Sequence, residues 1–157
     1  KITILTNGLY GEVFMAKQFG NRFMKAVLSS PAYWILGKGM AVITVFGRKT
    51  GKEISTPVNV IQNGNHFTVI SSRNRTWWRN LRGGAKARLH YEGKDFNVSG
   101  IVKEEPEETC IGFSDFFTTN PEWIKLFKLS KNTNGGINTE ELKKVSNDRV
   151  IIQLLIE

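Results

Sequence analysis

The sequence predicts a small barrel of six mainly antiparallel strands with helices packed outside it, a mainly β, α+β fold. Three observations carry this. Apolar, β-branched runs recur roughly every 10–15 residues between Gly, Asn or Pro punctuation. Asn63-Gly64 is a strong two-residue hairpin signal. The longer helical patterns lie before the first strand and before the last. The 157 residues are read as one domain, 1–157, with an amphipathic helix at about 12–28 and a helical insertion at about 107–146 before the last strand.

In the first helix Met15, Phe19, Phe23 and Val27 repeat at four-residue spacing, and Ser30-Pro31 stops it. Its polar side holds Lys17, Arg22 and Lys25, so contact with a membrane surface stands beside docking on the core. Strands follow at Ala41–Phe46, at Ile54–Ile61 after the turn Gly47-Arg48-Lys49-Thr50-Gly51-Lys52, and at His66–Ser72. Pro57 inside the second strand implies an edge or a bulge. The basic segment Arg73–Gly84 reads as a short helix ending at Gly83-Gly84. Strands at Ala87–Tyr91 and Phe96–Lys103 flank Glu92-Gly93, with alternation broken near Gly100. Aromatic-rich helical pieces cover Glu107–Phe117 and Pro121–Leu129; after a loop with Asn134-Gly135-Gly136, Thr139 caps a helical turn, and Arg149–Ile156 is the sixth strand.

Composition sets the function classes. Hydrophobic residues make up 40% and charged residues 23%, and no apolar stretch approaches the ~20 residues of a membrane span. One cysteine and two histidines leave no thiolate or imidazole metal set, so no metal site is expected. With no secretory signal pattern, the expected location is the cytoplasm, with the inner face of the membrane the surface the first helix could meet. The net charge of +8 is concentrated. Arg48, Lys49, Lys52, Arg73, Arg75, Arg79, Arg82, Lys86 and Arg88 lie in one stretch against a single acid, Glu53, and the rest of the chain sums to zero. Such a block calls for an anionic partner or forms a solvated basic face.

Two segments carry chemistry. In Gly47–Lys52, glycines permit a tight turn, successive N–H groups can converge on an oxyanion, and Arg48, Lys49 and Thr50 add donors suited to phosphate. The segment has neither Walker A nor dinucleotide-fingerprint spacing. In Ser71–Leu81, hydroxyls and arginines follow a strand end, while Trp77 and Trp78 are either a ligand wall or core anchors.

Taken in order, the Gly47–Gly51 turn with Thr56-Pro57, the strand ending Ser71-Ser72-Arg73, and Trp77-x-x-Asn80-Leu81 resemble the deazaflavin-dependent nitroreductase family, from about Gly39 to Lys103. The resemblance implies a split β-barrel like that of FMN-binding proteins, with coenzyme F420 as cofactor. By the same matching, Arg48, Lys49, Thr50, Ser55, Thr56, Pro57, Val58, Asn59, Ile70, Ser71, Ser72, Arg73, Trp77, Trp78 and Asn80 would contact the cofactor. Arg48, Lys49 and Arg73 are expected to converge on its anionic groups. The implied activity is hydride transfer from reduced F420 to a flat, electron-poor quinone or nitroaromatic, with Ser72 stabilising charge on the acceptor oxygen. The stretch where some family members place tyrosines offers Phe113, Phe116, Phe117, Trp123 and Phe127, so no tyrosine proton donor is assigned. The alternatives are a split barrel holding FMN and a non-catalytic binder of an apolar ligand. Nucleic acid is disfavoured, because adjacent tryptophans rarely present parallel stacking faces.

Overall fold

The computed structural model describes residues 39–157, so the expected helix at about 12–28, with its membrane contact, lies outside the described residues. Six strands are β1 (Met40–Phe46), β2 (Glu53–Asn63), β3 (His66–Ser72), β4 (Lys86–Tyr91), β5 (Lys94–Lys103) and β6 (Arg149–Ile156). They close into a barrel in the order β1-β2-β3-β6-β5-β4, with every neighbouring pair antiparallel. Side chains alternate across a strand, and the barrel takes one parity from each: Ile43, Val58, Phe67, Leu89, Val98 and Ile152 fall in a single buried cluster.

On the other parity, β2, β3 and β6 each place one isoleucine under a helical layer. Ile61, Ile70 and Ile151 pack with Phe113, Phe116 and Phe117 of α1 (Pro106–Thr119), Ile124 of α2 (Glu122–Leu126) and Leu142 of α3 (Thr139–Asp148). This explains why β6 reads as too apolar for a one-sided surface strand. Phe113 stacks on Phe117 at 5.7 Å between ring centroids, and Phe116 meets Trp123 edge-on at 5.5 Å. The aromatic residues of this stretch therefore face one another in a second core.

Three local expectations shift. Asn63 pairs with His66, so the hairpin loop is Gly64-Asn65, and Gly64 takes φ +57° at the first central position, as a type II′ turn requires. The cap of α3 is Asn138 and not Thr139: Asn138 Oδ1 accepts hydrogen bonds from the backbone N–H groups of Glu140 and Glu141. The segment after Arg73 narrows to a 3-10 turn at Trp77–Leu81. Its Leu81 seals one end of the barrel against Gly100, where an added Cβ would lie 2.7 Å from Leu81 Cβ. That contact is the reason the alternation of β5 breaks there.

At the same end the barrel is split. β2 pairs with β1 along residues 53–59 but with β3 only from Val60–Val69 to Asn63–His66, while Ile70–Ser72 of β3 pair with β6. The Val60 N–H donates to Gly39 O on the β1 side, so by alternation the position of Pro57, which has no N–H to give, faces the open side. Among the described residues no helix is long and apolar enough to cross a membrane.

Candidate functional site

The β1–β2 turn is built by its own side chains. Gly51 occupies φ +66°, open to glycine without strain, and bonds back to Gly47 O at 2.7 Å. Gly47 has no room for a side chain, since a Cβ would lie 2.7 Å from Thr50 Oγ1. Thr50 Oγ1 accepts from the Lys52 N–H, Gly47 N–H donates to Lys52 O, and Arg48 N–H donates to Asn80 Oδ1 at 3.2 Å. The N–H groups of residues 47, 48, 51 and 52 are thus committed inside the fold, which narrows the expected backbone nest to the N–H groups of Lys49 and Thr50. What remains to meet an anion is side-chain charge, the Thr50 hydroxyl hydrogen and the N–H groups of Lys49 and Thr50.

Asn80 joins two predicted segments 32 residues apart, with its Nδ2 also donating to Trp77 O. Across the split, Arg75 Nη2 donates to Thr56 Oγ1 at 2.6 Å, bridging β2 to the chain after β3. Ser55 Oγ shares a 2.8 Å hydrogen bond with Thr44 Oγ1 on the barrel's outer face. Ser55, Pro57 and Asn59 share the parity that faces outward, whereas the Val58 side chain is buried in the barrel core and the half-buried Ile70 side chain packs against the helical core. By the alternation set at Val60, the Val58 N–H and C=O lie toward β1, while the backbone of half-buried Ile70 borders the split. Ser71 is buried, with its hydroxyl directed to Ser72 O at 3.4 Å. Ser72 is half-buried, and its hydroxyl makes no hydrogen bond among the described residues.

Arg73 is anchored on α3 and the start of β6. Its guanidinium donates to Ser146 O, Asn147 O and Arg149 O, closing the C-terminal end of α3 with charge-assisted hydrogen bonds where the helix dipole is negative. Three carbonyls already hold the Arg73 guanidinium through Nε and Nη2, so its expected convergence with Arg48 and Lys49 on an anion competes with bonds made inside the fold. Trp77 and Trp78 are 5% and 1% exposed within the barrel cluster, so the core-anchor reading holds and neither ring is a ligand wall or a base-stacking platform. Trp78 is covered by two guanidinium carbons, Arg79 at 5.5 Å and Arg82 at 5.2 Å from its ring centroid.

Partnering sorts the basic block. Arg82 forms a bidentate pair with Glu104 at 2.7 and 2.6 Å; Arg88 pairs with Glu53, and Lys86 with Glu157. The Arg82 hydrogen bonds hold the Glu104 carboxyl below the usual carboxylate range despite partial burial, and Arg73 and Arg79 add smaller attractions. Among the described residues, Arg48, Lys49, Lys52 and Arg79 carry no ion pair, and they gather on the turn and on the 3-10 segment that holds it. Lys52, Arg75 and Arg79 are the functional candidates that motif matching passed over. The charge count flagged all three, but only their partners, or lack of them, distinguish them from Arg73, Arg82 and Arg88. A 150 Å³ pocket elsewhere, lined by His66, Lys103, Asp115, Phe116, Asn120 and Gln153 among others, shares no residue with the predicted set.

Uncompensated cations beside an open strand edge fit a cofactor with an anionic tail, and Arg48, Lys49, Lys52, Arg79 and the Thr50 hydroxyl are the groups placed to hold it. The fold is similar to that of several solved structures. The Agrobacterium tumefaciens protein Atu2129 shares 11% identity over 76% of this chain and 49% of its own, with a TM-score of 0.49, so the chain spans about half of that protein. The Vibrio cholerae heme storage protein HutZ shares 13% over 80% and 87%, with a TM-score of 0.48. An F420-H2 dependent reductase, FDR-A, shares 12% over 76% and 94%, with a TM-score of 0.42. None of these three scores reaches 0.5, and none of the curated proteins matches the chain. The sequence match is what decides: residues 21–111, more than half of the chain, fit the model of the F420H(2)-dependent quinone reductases. That stretch contains the turn, the split and the 3-10 segment, and with it the chain belongs to the F420H(2)-dependent quinone reductase family, whose cofactor is coenzyme F420 and not FMN.

Proposed function

We infer that the chain reduces a flat, electron-poor acceptor of the quinone or nitroaromatic type. The observation that carries this reading is the set of four cations, Arg48, Lys49, Lys52 and Arg79, left without ion pairs beside the split between β2 and β3. When bound, reduced coenzyme F420 supplies the hydride. The protein's part is position and electrostatics. Arg48, Lys49, Lys52 and Arg79 meet the negative charges of the tail, and Thr50, whose hydroxyl oxygen accepts from Lys52 N–H, donates its own hydrogen to the phosphate. Asn80 fixes the turn against the 3-10 segment, so these donors are pre-arranged before binding.

Along the split, the backbone edge of Ser55, Pro57 and Asn59 faces the end of β3, where the backbone of Ile70 supplies the opposite rim. The Ser72 hydroxyl, uncommitted among the described residues, is the side-chain donor for charge that develops on the acceptor oxygen; one such donor contributes about 3 kcal/mol to a transition state. Arg75, held on Thr56, closes the strand gap from the other side.

Equilibrium titration with oxidised F420 and, separately, FMN, read by cofactor fluorescence, tests the reading. Saturable binding of F420 with FMN at least tenfold weaker supports it; equal affinity, or none for F420, overturns it. Steady-state turnover of a soluble benzoquinone against a nitroaromatic by the F420H2-loaded protein then ranks the acceptors.

A further inference from the structure

We propose that Ser130–Glu141, between α2 and α3, is a binding loop for a hard divalent cation of the Ca²⁺ class. The segment reads Ser130-Lys-Asn132-Thr-Asn134-Gly135-Gly136-Ile137-Asn138-Thr-Glu-Glu141. A helix–loop–helix Ca²⁺ loop takes oxygen ligands at its positions 1, 3, 5, 7, 9 and 12, with glycine at 6 for a sharp turn. This chain supplies a hydroxyl at 1, side-chain amides at 3, 5 and 9, a backbone carbonyl at 7, glycine at 6 and glutamate at 12. It departs from the pattern only at position 1, where serine stands in place of aspartate.

The fold of the loop agrees with the spacing. Gly135 takes φ +79°, and the Lys131–Ile137 bridge folds the loop back on itself. Ile137 packs on the helical core, which leaves the oxygen-bearing positions around it toward solvent. Glu141, eleven residues on, returns to the first position: its Oε2 accepts from Ser130 N–H at 2.6 Å and from Ser130 Oγ at 3.0 Å. Asn132 Oδ1 accepts from Asn134 N–H, and Asn138 Oδ1 caps the exiting helix, which begins at Thr139, position 10 of the loop. The Asn134 side chain makes no hydrogen bond within the described residues. The oxygen set the loop offers contains a single carboxylate, Glu141. Affinity in such loops follows the ligand charge, which sets the expected Kd on the order of 10⁻⁴ to 10⁻³ M or weaker. The loop lies beyond residues 21–111, outside the stretch that matches the family.

The test is an amide NMR titration of the full chain with CaCl₂, and in parallel MgCl₂, at constant ionic strength. Saturable shifts at residues 130–141, led by Gly135 and much smaller with MgCl₂, are expected. Asn134→Ala, which removes a ligand but no protein hydrogen bond, abolishes them, and Ser130→Asp, which supplies the missing carboxylate, tightens binding at least tenfold. Non-saturating shifts spread over the surface, equal response to Mg²⁺, or a titration unchanged in both variants while their melting temperatures match the parent overturns the site. The readout needs no F420, so its failure is independent of the reductase reading.

Discussion

Lys49 and Arg73 stand in one basic stretch, and their partners make them do opposite work. Lys49 is exposed with no ion pair among the described residues, so Lys49→Ala is expected to weaken F420 binding by about 1–3 kcal/mol, the range for a charge-assisted hydrogen bond to phosphate. Isothermal titration reads the change, with thermal stability unmoved. Arg73→Ala removes three bonds to the carbonyl end of α3, so it is expected to lower unfolding free energy by about 1.5–3 kcal/mol in urea melts, while F420 affinity shifts less than threefold. An Arg73→Ala variant that kept full stability and lost the cofactor would return this residue to the site.

The 3-10 segment Trp77–Leu81 does structural and functional work at once: its Trp77, Trp78 and Leu81 plug the barrel, and its Asn80 holds the turn. Gly100→Ala forces a methyl to within 2.7 Å of Leu81 Cβ, an overpacking expected to cost about 1–3 kcal/mol. Combining it with Leu81→Ala should give less than the sum of the two single effects in denaturant melts, because the second change opens space for the first. If the losses simply add, Leu81 is not what excludes a side chain at position 100. The segment ends at Arg82, whose pair with Glu104 fastens it to the chain after β5. Glu104 titrates below its unfolded value, so the stability it contributes is present above about pH 4.3 and is lost as pH falls through the folded pKa. Glu104→Gln should therefore flatten the acid limb of a urea-midpoint profile below about pH 4.3 and leave the slope near neutrality alone.

Over the whole molecule the excess of +8 resolves into internally partnered and unpartnered charge. The arginines interleaved with aromatics suggested single-strand binding, but both tryptophans are buried and Arg73, Arg82 and Arg88 are engaged within the protein. The remaining cations suit a short flexible polyanion. Shortening the glutamate tail of F420 should lower its affinity and flatten the salt dependence of binding, since fewer screened contacts remain. Binding constants measured at ~50 and ~300 mM salt for long and short tails check this; identical slopes would place the tail outside the basic cluster.

Strand spacing, the place of Pro57 at an open edge, the break at Gly100 and the cofactor class were legible in the sequence, because they follow from periodicity, φ preference and ordered short motifs that act within a few residues. The roles of Arg73, Trp77, Trp78, Val58 and Ile70 were not, since each depends on what the closed barrel brings against it. Arg73 finds its carbonyls more than 70 residues away, and Val58 and Ile70 are turned by strand register into two different cores. Local sequence determines which residues can carry charge or bury surface. Only tertiary structure decides which charges are already satisfied, because an ion pair or a helix cap is made by groups that meet when the chain has closed on itself.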